Sequence, residues 1–449
     1  MSSSKRTPLE VPWGKAATLP LIFPSHWPEP VVDQPNLAGA VHGYDQELKA
    51  ALNSPQDSPA LEQLIQPGTR VAIVVDDPSR WTPIRQALPV ILTRLLAASA
   101  NRENISISVG VGRHHAVDAK AMGLRVGEEI ANAYPCYSPP LDDESQYVNL
   151  GTTPEGVPVK VFRPVAEADL RILIGSVLPH LQAGFGGGYK LIFPGCSHRQ
   201  TLGALHRQGL GQNAEQAAAL LGSSVASNPM RKAITQAASL LPGRCVSVSH
   251  LLGAPGQIFK ILYGDVSRVQ ELLSSQAVQR LELPDRTPVD IAIAGNFPWP
   301  GDPMMSFKAL IHHREACRRG GVLVGLFWTD PTEIDRSFPM GALKAIARSG
   351  AAGGWFIQRG LRMADRVVSH LDLPSRFMLH WARELVAERS VLVYSPALKD
   401  RLGPRLGPVQ LFSELPPLWK AAEAALKRPP TALRVFPEGG LSYVPHHQF

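Results

Sequence analysis

The chain has 449 residues, more than the roughly 250–300 residues at which a single hydrophobic core stops growing, so two domains are expected. Its composition, 44% hydrophobic and 18% charged, excludes a disordered or fibrous protein and is typical of a globular one. The net charge of +7 is scattered rather than gathered into a basic stripe, so we expect no nucleic-acid partner, and an anionic small ligand would explain the surplus equally well.

Cysteine usage and apolar runs indicate the compartment. The cysteines lie far apart without a CxxC pair, which argues against a disulfide framework and a structural zinc site and favours a reducing cytoplasm. The N-terminal sequence MSSSKRTPLEVPWGK has no apolar signal-peptide core, and the longest apolar runs fall far short of the roughly 20 residues of a membrane span. We therefore expect neither secretion by that route nor membrane anchoring.

Short β-branched runs alternate with longer helical patterns in the first part of the chain. Runs typical of strands lie at 71–75, 105–112 and 170–177, and the helical pattern IRQALPVILTRLLAAS follows the first of them. Because this alternation is typical of parallel strands joined by crossover helices, it predicts an α/β fold with largely parallel sheets flanked by helices.

A second series of the same kind follows a polar, proline-containing stretch near 284–288. It contains strand-like runs at 289–295, 320–328 and 390–395 and a helix-like KALIHHREACRR. We therefore predict an N-terminal domain at 1–284 and a C-terminal α/β domain at 285–429 that closes over an active-site cleft. The tail 430–449 could pack back onto the first domain.

Three informative segments follow the predicted strands of the first domain. DDPSRWTP follows the run at 71–75, and PHLQAGFGGGYK follows the run at 170–177. GRHH begins at the last residue of the run at 105–112. Ligands of open parallel sheets bind beyond the carboxyl ends of the strands, so these segments are where the chemistry is expected.

The segment PHLQAGFGGGYKLIFPG is dense in glycine, which lets backbone N–H groups approach a phosphate closely. It is not a Walker loop, because Tyr189 precedes Lys190 and Leu191 follows it, and it does not match GxGxxG. An ordinary flexible turn is the alternative. The neighbours favour a site: His180 and Lys190 bracket the glycines, and His206 follows on a predicted helix.

Histidine is more often structural than catalytic, but three histidines of the first domain lie after or near strand ends, namely His114, His180 and His206. Two such side chains can exchange protons with a substrate near neutral pH, and a third can ligate a metal. Imidazole suits nickel, copper, iron and zinc, so the residue type does not choose the metal. The pair His312-His313 is interpreted as helix surface, and His446-His447 as tail.

Two further segments carry cations that could hold an anion. In DDPSRWTP, Arg80 offers a planar set of donors suited to a carboxylate, although Asp77 could instead cap the next helix and pair with Arg80. Lys308, at the start of a helix-like segment, could reach towards an anion across a cleft.

Together these segments resemble the lactate racemase family, enzymes that use a nickel-pincer nucleotide. The matching pieces are DDPSRWTP, VGRHH, the glycine segment with Lys190 ten residues after His180 and sixteen before His206, and SFKAL. With their intervening sequence they span most of residues 70–310.

The resemblance implies a role for each matching residue. Lys190 looks like the covalent anchor of the nickel-pincer nucleotide, His206 like the nickel ligand, and His114 and His180 like paired acid/bases. Arg80 and Lys308 look like substrate-orienting groups. The resemblance also implies that the nucleotide pocket includes Asp77, Gly184, Gly186, Gly187, Gly188 and Pro194.

That assignment implies a racemase or epimerase of a 2-hydroxy acid: one histidine takes the hydroxyl proton while hydride passes from C2 to the cofactor, and return on the other face inverts C2. The chain departs from the family pattern at His115, where arginine is expected, at Gly186 and Tyr189, and at Met305, where glutamine is expected. We therefore expect a substrate other than lactate.

Alternatives are C2 epimerisation of a sugar acid and a non-catalytic pincer-cofactor-binding protein. A zinc hydrolase is disfavoured because HExxH is absent. In the cell, the resemblance implies cofactor-assembly enzymes as partners.

Overall fold

The computed structural model describes residues 6–112, 116–210, 216, 219–299, 301, 303–337, 348, 385–386 and 388–446. Its strands, numbered in chain order, are β1 (Leu9–Trp13), β2 (Ala17–Leu21), β3 (Val31–Val32), β4 (Val71–Asp76), β5 (Ile105–Gly110), β6 (Cys136–Tyr137), β7 (Tyr147–Thr152), β8 (Pro158–Phe162), β9 (Leu170–Val177), β10 (Pro179–His180), β11 (Gly184–Phe185), β12 (Arg244–Leu252), β13 (Ile258–Asp265), β14 (Val289–Gly295), β15 (Cys317–Leu326), β16 (Ser390–Tyr394), β17 (Arg405–Leu406), β18 (Val409–Phe412) and β19 (Leu433–Phe436).

The described helices are α1 (Tyr44–Asn53), α2 (Ile84–Ala97), α3 (Ala119–Val126), α4 (Glu128–Ala133), α5 (Arg163–Ala166), α6 (Arg199–Gln208), α7 (Pro229–Ala238), α8 (Val266–Leu281), α9 (Pro303–His313), α10 (Pro331–Ser337), α11 (Pro396–Leu402) and α12 (Leu415–Leu426). Short 3-10 helices lie at Leu61–Leu64, Arg102–Asn104, Glu144–Gln146, Gly188–Leu191 and Arg314–Ala316. None of the described helices combines the length and the apolar character needed to cross a membrane.

The first compact unit takes in the described residues of Leu37–Gly211 and Leu220–Arg280 and contains a six-stranded sheet. The strand order is β13-β12-β9-β4-β5-β6, and every neighbouring pair is parallel except β12 with the edge strand β13. Parallel strands that are covered on both faces are continuous apolar runs, and all residues of β4 and β9 are buried.

The two faces of this sheet carry separate hydrophobic cores because successive side chains of a strand alternate between faces. Ile73 and Ile172 pack on the side of α1 and α2. Their neighbours Val74 and Leu173 pack on the other side, with Leu205 of α6 and residues of α7. This arrangement fixes α6, which carries His206, against the face opposite α2.

The second unit contains a seven-stranded sheet with the order β17-β18-β16-β15-β14-β19-β3. Its neighbouring strands are parallel except β17 and β18. One core of this unit joins the strands to α12 and to apolar residues near the N-terminus, including Val11 and Trp27. The prediction of an α/β fold with largely parallel sheets flanked by helices is confirmed.

The division of the chain differs from the predicted one at both ends. The predicted first domain began at residue 1, but the described residues of Met1–Asn36 group with the second unit, which resumes at Leu281. The predicted return of the tail 430–449 to the first domain is corrected by β19, which pairs with β14 and β3 of the seven-stranded sheet. Its Arg434, 1% exposed, donates to Asp33 Oδ2 at 2.6 Å and so joins tail and N-terminal segment.

The interpretation of His312-His313 as helix surface is wrong, because both side chains are buried. His313 Nδ1 donates to the carbonyl of Ala309 at 2.8 Å, and its Nε2 lies 3.2 Å from Ser442 Oγ. Burial lowers the pKa of both histidines to about 3. They pack α9 against the tail rather than facing water.

Replacing Arg434 by Met should lower the free energy of unfolding by about 2 kcal/mol, because the buried guanidinium is lost from the partly buried carboxylate of Asp33 and from two backbone carbonyls. The groups that lose the Arg434 donor are the Asp33 carboxylate and the carbonyls of Asp285 and Thr287. Urea unfolding followed by tryptophan fluorescence measures the change. The exposed pair of Arg70 with Asp169 is the control: Arg70→Met should cost under about 1 kcal/mol. Equal losses in the two variants would contradict the assigned role of Arg434.

Candidate functional site

A pocket opens at the carboxyl ends of three neighbouring strands of the six-stranded sheet, β4, β5 and β9. It has an empty volume of about 520 Å³ and is open to solvent. Its lining residues are Asp76, Asp77, Arg80, Gly110, Ser176, Leu178, Pro179, His180, Gly186, Gly187, Lys190 and Leu191. Segments that lie far apart in the sequence therefore meet where the strand pattern predicts a ligand site.

The loop after β4 is held by a buried ion pair between Asp76 and Arg125 of α3. Arg125 also donates to the carbonyls of Asp76 at 3.0 Å, Arg80 at 3.1 Å and Thr82 at 3.2 Å. The Thr82 hydroxyl donates to Asp76 Oδ2 at 2.6 Å. Burial raises the pKa of Asp76, and the charge of Arg125 and the Thr82 hydroxyl oppose that shift. These contacts fix the backbone of the loop that presents Arg80.

Asp77 and Arg80 lie together at the mouth of the pocket. Asp77 Oδ1 accepts from the N–H of Ser79 at 2.9 Å, and its Oδ2 lies 3.9 Å from Arg80 Nε. Helix α2 begins after Pro83 without a side-chain cap, so Asp77 does not cap it, whereas the pairing with Arg80 is present. The carboxylate therefore orients a guanidinium that is suited to an anionic ligand.

Two glycines allow the loops behind the pocket to touch. A Cβ on Gly110 would lie 2.6 Å from the carbonyl oxygen of Leu191, and one on Gly195 would lie 2.0 Å from the same oxygen. The N–H of Gly112 donates to the Gly195 carbonyl at 2.9 Å. Because any larger residue would force these backbones apart, the close approach of β5 to the segment after Lys190 depends on glycine.

The glycine loop is held from below by the buried guanidinium of Arg231 on α7. Arg231 donates to the carbonyls of Ala183 at 3.1 Å, Gly186 at 2.8 Å and Gly187 at 3.0 Å, and also to that of Phe185. Burial lowers its pKa to about 9, and acceptance by four carbonyls favours the charged form. Within the described part of the chain, the side chain of Arg231 thus donates to backbone carbonyls and to no carboxylate.

This arrangement determines where the N–H groups of the loop point. In a planar trans peptide the C=O and the following N–H point in opposite directions, so the N–H groups of Gly187 and Gly188 point away from Arg231. Both residues have left-handed φ values, +78° and +61°. Gly187 lines the pocket. Successive N–H groups with a common direction form a concavity that suits an anion.

His180, at the end of β10, is oriented by the backbone that follows it. Its Nδ1 lies 3.2 Å from the N–H of Gln182 and 3.1 Å from the N–H of Ala183. Because backbone N–H groups only donate, Nδ1 is the acceptor, and the neutral ring carries its proton on Nε2. Lys190, in the 3-10 helix Gly188–Leu191, lines the same pocket.

His206, on α6, shows the opposite tautomer. Its Nδ1 lies 2.8 Å from the carbonyl oxygen of Leu202, which only accepts, so Nδ1 carries the proton and Nε2 the lone pair. This is the form in which histidine binds metals, with the second nitrogen held by a carbonyl. Across the described ranges, no group of three or more His, Cys, Asp or Glu side chains could hold a metal ion.

The pocket brings together six of the predicted site residues: Asp77, Arg80, His180, Gly186, Gly187 and Lys190. Four others belong to the same unit but do not line the pocket: Gly184, Gly188, Pro194 and His206. His114 lies outside the described residues. The expected cleft location of the site stays a prediction.

Lys308 belongs to the second unit, in the middle of α9 rather than at its start. Its Nζ lies 5.9 Å from the ring centroid of Trp299, whose indole N–H donates to the Gly440 carbonyl at 2.9 Å. Met305, one turn earlier, is 5% exposed. The helix therefore presents a lysine beside a fixed aromatic ring.

Sequence reasoning missed the residues that shape the pocket without carrying a recognisable motif. Arg125 and Arg231 lie on helices more than 40 residues from the loops that they hold. Gly110 and Ser176 line the pocket at strand ends. A search for small residues at the last positions of predicted strands would have found these two, whereas the arginines gave no local signal.

Comparisons with known proteins point to one family. Residues 19–218 match the family described as lactate racemase N-terminal domain. A lactate racemase of Thermoanaerobacterium thermosaccharolyticum is 24% identical over 319 residues, which are 70% of this chain and 73% of that protein. A lactate racemase of Lactiplantibacillus plantarum is 30% identical over 159 residues, 35% of this chain and 37% of the relative.

A solved structure shows the same fold. The structure of the lactate racemase apoprotein from Thermoanaerobacterium thermosaccharolyticum superposes with a TM-score of 0.81 at 20% identity and covers 97% of this chain and 99% of that chain. The α/β fold and these matches define an enzyme of the isomerase class, a racemase. Residues 19–218 carry the lactate racemase N-terminal domain, and the similarity to both relatives supports the lactate racemase family.

Replacing Arg231 by Met should destabilise the first unit by roughly 3 kcal/mol or more, because four carbonyls lose their donor in a dry environment. Hydrogen–deuterium exchange should rise in peptides that cover 183–190. Arg199, whose ion pair with Asp142 is exposed, is the matched control, and Arg199→Met should leave both quantities nearly unchanged. Unchanged exchange at 183–190 in the Arg231 variant would show that Arg231 does not hold the loop.

Proposed function

We propose that the chain inverts C2 of a 2-hydroxy acid with a nickel-pincer nucleotide anchored on Lys190. The observation that carries the proposal is the joint lining of one pocket by Lys190, Arg80, His180 and the glycine loop. An amine for attachment, a cation for a carboxylate, a proton-transfer group and a cradle of N–H groups for a nucleotide phosphate are the parts that this chemistry requires.

The residues present fit this cofactor. A Cβ on Gly187, which lines the pocket, would lie 2.8 Å from the carbonyl oxygen of Ser176, so the close packing of this loop on β9 requires glycine there. His206, whose Nδ1 is held by the Leu202 carbonyl, would offer its Nε2 lone pair as one ligand to the nickel. A nickel-pincer nucleotide held by these residues would supply a reversible acceptor for the hydride of C2.

We propose that Arg80 binds the substrate carboxylate. Its guanidinium lines the pocket, Asp77 lies 3.9 Å from its Nε, and Arg125 holds the carbonyl of the same residue. Holding the carboxylate keeps a keto acid intermediate bound between the two half-reactions. Lys308 is proposed as a second substrate-orienting cation on the strength of the family resemblance.

His180 holds its proton on Nε2, and we propose that this atom exchanges the proton with the oxygen on C2. His114 is proposed to do the same from the second face, since a racemase must serve both enantiomers. Met305 replaces a polar residue of the family pattern, which supports a substrate other than lactate. We place the reaction in the cytoplasm, where reducing conditions suit the four free thiols and the cofactor-assembly enzymes would act.

Protein produced together with the cofactor-assembly enzymes should carry a covalent adduct and nickel, whereas Lys190→Ala should carry no adduct by intact-mass measurement. Lys232, exposed on α7, provides the control, because Lys232→Ala removes a lysine outside the pocket and should keep the adduct. An adduct that persists in Lys190→Ala would exclude Lys190 as the anchor.

On a panel of 2-hydroxy acids and aldonic acids analysed by chiral chromatography, the loaded protein should interconvert C2 epimers of at least one acid. His180→Ala should lower that rate by about 10²- to 10⁴-fold, the usual contribution of a general acid/base. The exposed His42→Ala should not change it. Turnover of aldonic acids alone would indicate a sugar-acid epimerase. Bound cofactor without any turnover would instead indicate a non-catalytic cofactor-binding protein.

A further inference from the structure

Gln182 lies between the two histidines to which the proposed function assigns different tasks. It follows His180 by two residues, and its side chain is 5% exposed. We propose that Gln182 is a positioning residue that fixes His206 relative to His180, and so holds the candidate metal ligand in register with the candidate acid/base. This inference rests on the proposed function.

The backbone of Gln182 orients His180. Its N–H donates to His180 Nδ1 at 3.2 Å, and the next N–H, that of Ala183, donates to the same atom at 3.1 Å. Two donors on one ring nitrogen fix both the plane of the imidazole and its tautomer. The orientation of His180 therefore follows the backbone conformation at 182–183.

The side chain of Gln182 holds the end of α6. Its Nε2 donates to the carbonyls of Gly209 at 3.2 Å and His206 at 3.4 Å. The last carbonyls of a helix lack the usual donor four residues on; the N–H of Gly209 donates to the His206 carbonyl at 3.1 Å, and the Gln182 amide adds a donor from outside the helix that ties this turn to the loop. The contact is close, since a Cβ on Gly209 would lie 2.9 Å from Gln182 Cβ.

A third contact holds Gln182 independently of both histidines. Its carbonyl accepts from Asn228 Nδ2 at 3.0 Å, and Asn228 is fully buried as the N-cap of α7. The same helix carries Arg231, which donates to the Ala183 carbonyl at 3.1 Å. Because both its backbone and its side chain form hydrogen bonds, Gln182 holds the end of α6 at a fixed position relative to the loop.

The backbone of Lys190 has hydrogen bonds of its own: its N–H donates to the Gly187 carbonyl at 3.3 Å, and its carbonyl accepts from the Gly195 N–H at 3.2 Å. Lys190 belongs to the 3-10 helix Gly188–Leu191, whose backbone is held through Gly187 and Tyr189. Loss of the Gln182 amide should therefore displace the turn of α6 that carries His206 while leaving the lysine in place. Covalent anchoring and metal retention should separate in such a variant.

Gln182→Met keeps the length of the side chain and removes both of its donors. In protein co-produced with the cofactor-assembly enzymes, the fraction with the covalent adduct should stay within about twofold of wild type. Nickel retained per adduct after dialysis should fall by about 10-fold or more, the usual effect of losing a group that orients a metal ligand. The turnover number should fall more than KM rises.

Two controls separate positioning from general destabilisation. Gln200→Met changes an exposed glutamine near the start of the same helix and should retain nickel. Ile91→Val weakens the core on the opposite face of the sheet and should also retain nickel at a lowered urea midpoint. Wild-type nickel retention in Gln182→Met overturns the positioning role and leaves the proposed function intact. A wild-type protein without adduct or nickel overturns both.

Discussion

The guanidinium of Arg231 gathers four carbonyl oxygens of the segment Ala183–Gly187, and the geometry of the pocket depends on this interaction. A peptide group that turns its oxygen towards a cation turns the next N–H the other way. Once Arg231 is buried beneath the loop, the N–H groups above it share a direction. The positive φ values of Gly187 and Gly188 are the backbone response to this constraint.

A second buried arginine, Arg125, holds the loop after β4, but its charge is balanced differently. Arg125 has a carboxylate partner in Asp76 and adds three carbonyls from the same loop. Among the described residues, Arg231 donates to four carbonyls and to no carboxylate, so peptide dipoles rather than an opposite charge stabilise its guanidinium. An anion above the glycine loop would lower the electrostatic cost of burying that cation, which links the stability of the loop to the ligand that we propose.

The sequence predicted six of the described strands and the three segments that follow those of the first unit, because a continuous apolar run and a glycine cluster are local signals. It did not predict Arg125, Arg231 or Gln182, since their roles arise from contacts across tens of residues. The two-residue strand β3 is too short for a periodic pattern, so the N-terminal segment was assigned to the other domain. His312 and His313 look polar in sequence, but a carbonyl and a hydroxyl satisfy His313 within the core.

The tautomers of the two described site histidines follow from the partners of their Nδ1 atoms. In His180 that atom faces backbone donors, so the proton resides on Nε2, whereas in His206 it faces a carbonyl, so Nε2 keeps its lone pair. The same residue type thus presents an N–H donor at one position and a nitrogen lone pair at the other, as the proposed proton-transfer and metal-ligand roles would require. The backbone imposes this difference before any ligand arrives. On the proposed function, the separation of proton transfer from metal binding would depend on the turn at Gln182, which contacts both residues.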